Sequence, residues 1–278
     1  KVQDSRTIAI VFDNSGSMYD SGDQAWCRAT YAMEVFASML NSGDILQIYP
    51  MNPITVDNEE YTMQNPLQIT DSAQASSIRN IYTKDAGGTP IESIDCAVKG
   101  LQSIQNGKKY LVVLTDGGTF SKKGHGLTKA KTKTELDKRI KANANKTMTV
   151  MYLGIGSDAC IPQTKPSEYF VKKQAVNTAD VLSTLTDMCN LIFGRDTLPK
   201  SRISGKTIEF DISMSKLIVF VQGDNISELK IKPQNGGSVG KLMSSQQTQY
   251  STKGAGDYKS VADTSLQGMI FTYKDCAA

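Results

Sequence analysis

Histidine is nearly absent: one occurs in 278 residues, His125, inside the loop Lys-Lys-Gly-His-Gly. A Ser-His-Asp hydrolase would have to pair it with Ser15 or Ser17, and neither serine sits in a G-x-S-x-G elbow, so that reading is set aside. The five cysteines, Cys27, Cys96, Cys160, Cys189 and Cys276, form no C-x-x-C pair, which argues against a structural zinc site. Cys27 and Cys189 fall on apolar helix faces and read as small buried hydrophobes. A disulfide role for some of the five is the alternative. The odd count leaves at least one free or paired outside the chain. No G-x-x-x-x-G-K-[ST] occurs, and Gly154-x-Gly156 lacks the later glycine and acid of a dinucleotide loop. No apolar run approaches the length of a membrane span. The net charge, +3, is too small to argue for nucleic acid. The first residue is Lys1 rather than Met and no secretory signal is visible, so the original start is expected upstream and no compartment follows.

What is present is a globular composition, 39% hydrophobic and 21% charged, in a chain long enough for one large domain or two ordinary ones. Its most informative run is Ile8-Ala-Ile-Val-Phe12 followed at once by Asp13-x-Ser15-x-Ser17. A continuous apolar run reads as a parallel strand covered on both faces. Ligands in such sheets bind outside the carboxyl ends of the strands. The Asp13, Ser15 and Ser17 oxygens can therefore converge at that edge. One carboxylate and two hydroxyls are hard donors that suit Mg²⁺ or Mn²⁺ and suit zinc or copper poorly. Two later segments supply more oxygens. Gly87-Gly88-Thr89-Pro90 is a tight turn before a helical pattern, and Tyr110 to Leu114 is a second buried-strand run that leads through Thr115 into Asp116. A short D-x-S-x-S match alone would also suit an Asx or Ser turn capping a helix. Three pieces in order, each in the right structural context, are far more specific.

With these residues in view the chain resembles von Willebrand factor A domains, and Asp13, Ser15, Ser17, Thr89 and Asp116 resemble their metal-ion-dependent adhesion site. All five motif positions are present in order. The resemblance covers roughly residues 5–195, and the stretch Asn190 to Gly194 leading onward is similar to bacterial surface proteins of that family.

The organisation agrees with such a fold. Trp26, Ala29, Met33, Phe36 and Leu40 repeat at helical spacing, and Asn41-Ser42-Gly43 stops that helix. Ile45 to Tyr49 reads as a strand, residues 50–70 as loop plus an edge strand at Leu67–Ile69, and Asp71-x-x-Gln74 as a capping box for a short helix. Ile91, Ile94, Val98, Leu101 and Ile104 trace one helical face. A helix follows from about Lys129 to Ala142, then a strand at Thr147–Leu153 and a helix from Thr178 to Phe193. This alternation predicts an α/β fold, a doubly wound, mostly parallel, Rossmann-like sheet over residues 1–198. After Leu198-Pro199 the pattern turns to short strands, at Lys206–Phe210, Leu217–Val221, Leu229–Lys232 and Gly268–Tyr273. Residues 199–278 are expected to form a smaller β-rich unit, a sandwich that is possible only in truncated form with so few strands. The helix-rich part is expected to be stable without it.

The resemblance implies binding rather than catalysis. The protein would hold Mg²⁺ or Mn²⁺ through the five residues, with Asp13 and Asp116 direct or through water. One open position would take a carboxylate from a protein or other ligand. The expected setting is an adhesion module of a secreted or cell-surface bacterial protein, with no nucleic-acid partner and with membrane contact only through an anchor outside this sequence. An intracellular assembly subunit working with an ATPase is the alternative. The Lys-rich stretch Lys122–Lys146 reads as a solvated helix face, the alternative being a patch for an acidic partner or anionic polymer. Asp20 and Asp23 read as capping residues near the helix that starts about Ala25.

Overall fold

Ile8 to Phe12 can be apolar at every position because both faces of its strand are covered, and each of these residues is fully buried. The structure, a computed structural model, describes residues 5–20, 25–57, 60–63, 65–80, 87–105, 107–195, 203–204, 207–209, 214–223, 241–251 and 265–276. In chain order the elements are β1 (Arg6–Phe12), α1 (Ser17–Asp20), α2 (Ala25–Ser38), β2 (Ile45–Pro50), β3 (Ile54–Asp57), β4 (Glu60–Met63) and β5 (Leu67–Ile69). A 3-10 segment (Ser72–Asn80) follows, then α3 (Glu92–Gln102), β6 (Lys108–Thr115), β7 (Ser121–Lys122), β8 (His125–Gly126), α4 (Lys129–Asn143), β9 (Met148–Ile155), β10 (Phe170–Ala175) and α5 (Val181–Phe193). The β-rich segment contributes β11 (Ile203–Ser204), β12 (Thr207–Ile208), β13 (Met214–Gly223), β14 (Lys241–Ser251) and β15 (Ser265–Cys276).

The main sheet has six strands in the order β10-β9-β6-β1-β2-β5. All neighbours are parallel except β5, which closes one edge antiparallel to β2. This is the doubly wound α/β architecture that the strand–helix alternation predicts. Side chains alternate between faces along each strand. Ile8, Ile10 and Phe12 enter one core with α2 and α5, and Ala9 and Val11 enter the other with residues of α3 and α4. The chain leaves β1 toward β2 on one side and returns to β6 on the other, so the direction of winding switches between β1 and β6. In open α/β sheets that switch point is where ligands bind.

Two strands escape the apolar pattern. β10 reads Phe-Val-Lys-Lys-Gln-Ala and lies at the sheet edge, where charged side chains are tolerated and protect the edge. β14, Lys-Leu-Met-Ser-Ser-Gln-Gln-Thr-Gln-Tyr-Ser, is almost wholly polar yet pairs with β15 along its length. Within residues 50–70 the expected loop holds the β3–β4 hairpin. The capping box forms as expected, with Gln74 Oε1 accepting from the Asp71 N–H at 3.2 Å and Asp71 Oδ1 accepting from the Ala73 N–H at 2.9 Å. The segment it caps is 3-10 rather than α. The strand expected at Leu229–Lys232 and the position of Asp23 lie outside the described residues, as does the side chain of Asp20. Cys27, Cys96, Cys160 and Cys189 stand outside any disulfide, and Cys27 and Cys189 are buried; burial pushes the Cys27 thiol up to about 12. Among the described residues no helix is long and apolar enough to cross a membrane.

Helix α2 buries every residue except Arg28. A helix that is apolar all round must be covered all round. The main sheet and α5 cover its inner side, and the three-stranded antiparallel sheet β13-β15-β14 covers part of its outer side. Leu266 and Ile270 of β15 belong to the same hydrophobic cluster as α2. Tyr31 fastens the layers. Its hydroxyl lies 2.8 Å from the Val221 carbonyl and 2.9 Å from the Met269 carbonyl, which sit opposite each other on β13 and β15. Gly268 leaves room for the ring: a Cβ there would fall 2.4 Å from Tyr31 Cε2.

This packing predicts two outcomes in denaturant melts. Gly268→Val should destabilise the chain by about 1–3 kcal/mol, the usual range for overpacking a tight contact. A chain ending near Pro199 should lose stability as well, because the outer side of α2 would face water. An unchanged melt for both would show that the β-rich layer does not support α2.

Candidate metal centre

Five oxygen-bearing side chains meet at the β1/β6 switch point. The Asp13 N–H donates to the Leu114 carbonyl at 2.8 Å, which joins the ends of the two central strands. Asp13 is fully buried. Its Oδ1 accepts from the Ser15 N–H at 2.9 Å, so the loop after β1 folds back over the carboxylate. Its Oδ2 accepts a short hydrogen bond from the Thr115 hydroxyl and faces the Thr89 hydroxyl at 3.5 Å. On the other side Ser17 Oγ donates to Asp116 Oδ1 at 2.9 Å. With that proton committed, the 3.1 Å contact between the Ser15 and Ser17 hydroxyls has Ser15 as donor. Asp13, Ser15, Ser17, Thr89 and Asp116 therefore share one hydrogen-bonded cluster, as their order in the sequence leads one to expect.

Three further residues belong to the cluster and escape a reading based on motif positions. Thr115, the last residue of β6, is clamped between Asp13 and the Gly117 N–H, which it accepts at 2.9 Å. Asn14 and Asn52 hold the loops in place. Asn14 Nδ2 donates to the Asn52 carbonyl at 2.8 Å, and the Asn52 N–H returns a bond to Asn14 Oδ1 at 2.9 Å. Asn52 Nδ2 then donates to the Gly88 carbonyl at 2.6 Å. Thr89 is thus tied through Asn52 and Asn14 to the loop that carries Asp13. Asn14 fills a variable position of D-x-S-x-S. Asn52 follows a strand with no motif of its own, and only the folded chain shows that the two pair.

The electrostatics are those of two acids held together. The carboxyl of Asp116 is pushed up to about 7, first by burial and then by the charge of Asp13, with the Ser17 hydroxyl partly offsetting both. Every hydroxyl proton in the cluster points at a carboxylate or at a hydroxyl bonded to one. A hydroxyl can rotate so that a lone pair faces inward while its proton keeps an acceptor. Two carboxylates and three neutral hydroxyls then form an all-oxygen set that fits a hard divalent cation. Among the described residues no group of three or more His, Cys, Asp or Glu is close enough to hold a metal, which leaves no rival set of softer ligands. His125 is exposed in β8, and among the described residues it makes no hydrogen bond with Ser15 or Ser17.

No family profile and no curated protein matches this chain. Among solved structures, the chain is similar to the vWF domain of the type V pili tip protein Mfa5 from Porphyromonas gingivalis, at 10% identity and a TM-score of 0.48, over 72% of this chain and 100% of that one. It is similar to the pilus adhesin SpaC from Lactobacillus rhamnosus GG, at 13% identity and a TM-score of 0.48, over 100% of this chain and 40% of SpaC. A von Willebrand factor type A protein from Catenulispora acidiphila gives 13% identity and a TM-score of 0.45, over 99% of this chain and 59% of that one. The chain thus spans less than two thirds of each of the last two. Identities and scores this low carry no argument of their own; the chemistry rests on the oxygen cluster.

The raised Asp116 carboxyl makes a prediction for the metal-free protein. Its folded value, about 7, lies above the ordinary 3.8. The folded chain therefore holds a proton that the unfolded chain releases between those values. Its contribution to stability is complete below pH 4 and is lost as pH rises through 7, with a slope of at most about 1.4 kcal/mol per pH unit. Urea melts in the presence of a chelator should show this slope, and Asp116→Asn should remove it. Added Mg²⁺ should stabilise the protein more at pH 8 than at pH 5. Equal metal stabilisation at both pH values would mean that the cation does not displace this proton.

Proposed function

We propose that this protein is a divalent-cation-dependent binding module: Mg²⁺ or Mn²⁺ held by Asp13, Ser15, Ser17, Thr89 and Asp116 captures a carboxylate presented by a protein or other ligand. The observation that carries the reading is the convergence of five hard oxygens from three separate segments onto one point at the carboxyl edge of the sheet. Only two of the five donors are charged, so a bound cation keeps electrophilic character toward a further anion. Ser17 is exposed and Asp116 half-buried, while Thr89 is buried at 7% exposure, so an incoming ligand meets Ser17 and Asp116 first.

The role is binding and not catalysis. The Ser17 and Thr89 hydroxyls are engaged with carboxylates and the Ser15 hydroxyl with Ser17, and no histidine reaches them among the described residues. We place the module on a secreted or cell-surface bacterial protein that serves in adhesion, which is the setting that the five-residue motif implies.

Calorimetry on chelator-treated protein tests the metal. Mn²⁺ should bind with one site per chain, and Asp116→Asn and Thr89→Ala should each weaken it about tenfold or more, in the range seen when a ligand or its immediate support is lost. Both variants should keep the cooperative melt, because neither side chain belongs to the apolar core. Unchanged Mn²⁺ affinity in both would remove the metal from this site.

A further inference from the structure

An excess of positive charge begins beside the metal centre and runs along α4. Residues 121–146 carry nine Lys and Arg against two acids, in a chain whose total is only +3. The two acids are already engaged. Glu135 pairs with Lys122 at 2.7 Å and with Arg139 at 2.6 Å, and Asp137 accepts from the Thr164 N–H at 2.7 Å. Lys123, Lys129 and Lys131 are exposed and form no ion pair among the described residues.

The hairpin β7–β8 that carries Lys123 is bonded directly to the Thr89 segment. The Ser121 N–H donates to the Thr89 carbonyl at 2.9 Å, and the Ile91 N–H donates to the Ser121 carbonyl at 2.9 Å. The hairpin is also held rigid. Phe120 is buried at its base, with its N–H on the Thr132 hydroxyl at 3.0 Å. The Leu127 N–H closes onto the Phe120 carbonyl at 2.8 Å. The tip is a two-residue turn, with Lys123 at φ +51° and Gly124 at φ +75°. Lys123 is the one non-glycine residue with positive φ among the described residues. Such turns favour Asn-Gly, and a lysine in this conformation is costly enough to need an explanation. Buried Glu92 holds it there, accepting the Lys123 N–H at 2.6 Å. Lys123 stays exposed at the tip of a rigid arm whose base is bonded to a metal-site residue.

We propose that this hairpin is the second contact for the ligand of the metal centre: Lys123, supported by Lys129 and Lys131, selects an acidic peptide segment in which the metal-binding carboxylate is followed by further acids. The inference rests on the proposed function of the centre and adds to it the chemical class of the partner. The nearest acids are already engaged: buried Glu92 spends its carboxylate on the Lys123 N–H at 2.6 Å. Asp95 is bound to Arg139 at 2.7 Å. An acidic segment would run from the cation toward the hairpin. The pre-formed turn spares the ligand the cost of ordering the arm.

The test uses the full chain loaded with Mn²⁺ and two labelled, C-terminally amidated peptides, Gly-Gly-Asp-Gly-Gly and Gly-Gly-Asp-Glu-Glu, titrated at low and high NaCl. Lys123→Asn removes the charge and suits the turn, so it should fold normally. Lys146→Asn removes an equal charge from the exposed turn ahead of β9, at the opposite edge of the sheet. The triacidic peptide should bind at least about threefold tighter at low salt, as expected for one or two exposed charge contacts, and lose that preference at high salt. Lys123→Asn should abolish most of the preference, while Lys146→Asn keeps it and both variants retain the affinity for the monoacidic peptide. Equal affinity for the two peptides, or equal loss in the two variants, overturns the hairpin's role and leaves the metal reading standing. Failure of both peptides to show any Mn²⁺-dependent binding overturns the metal-carboxylate reading, and this inference with it.

Discussion

The structure turns on a repulsion. Asp13 and Asp116 close the two central strands of the main sheet, and the Asp13 N–H is bonded to the Leu114 carbonyl, so the strand ends that carry the two acids cannot separate. Burial and mutual charge lift the Asp116 carboxyl far above its ordinary range. The fold holds two like charges at a place where only a proton, a hydroxyl dipole or a cation can offset them. Thr115, Thr89, Ser15 and Ser17 supply the dipoles. The Asn14–Asn52 pair in turn fixes the loops that deliver them. The rigidity of the β1/β6 pair and the chemistry of the edge are one feature seen from two sides.

Much of this was legible in the residues. An apolar strand ending in an acid predicts both burial and the position of the acid, because a strand covered on both faces has polar groups only where it emerges. That logic located β1 with Asp13 and β6 with Asp116, and the turn before α3 with Thr89. It located neither β10 nor β14, whose Lys, Gln and Ser residues suppress the apolar signal. An edge strand needs only one side of its ladder satisfied and tolerates charge, so the pairing in the folded chain decides where composition does not. Thr115 and Asn52 were illegible for another reason. A threonine ending a strand and an asparagine following one gain meaning only from partners 102 and 38 residues away in sequence.

The apolar residues of α2 face in all directions, and the meaning of that pattern appears only with the β-rich segment in view. Chain order suggests two units. Packing joins them, since Leu266, Ile270 and the Tyr31–Gly268 contact put β15 into the same core as α2. Helix α2 follows the metal-site loop in the chain, so the β-rich layer buttresses the first long helix behind Asp13, Ser15 and Ser17. Gly268 shows how local a layer contact can be: one missing Cβ admits a tyrosine ring whose hydroxyl reaches two strands.

The central claim is that this oxygen cluster is a cation site. Anomalous diffraction from crystals of the protein grown with Mn²⁺ tests it most directly. The account predicts one strong anomalous peak among the side-chain oxygens of Asp13, Ser15, Ser17, Thr89 and Asp116, lost in crystals of Asp116→Asn. A map with no peak there, or with its principal peak at other residues and unaffected by that substitution, would contradict it.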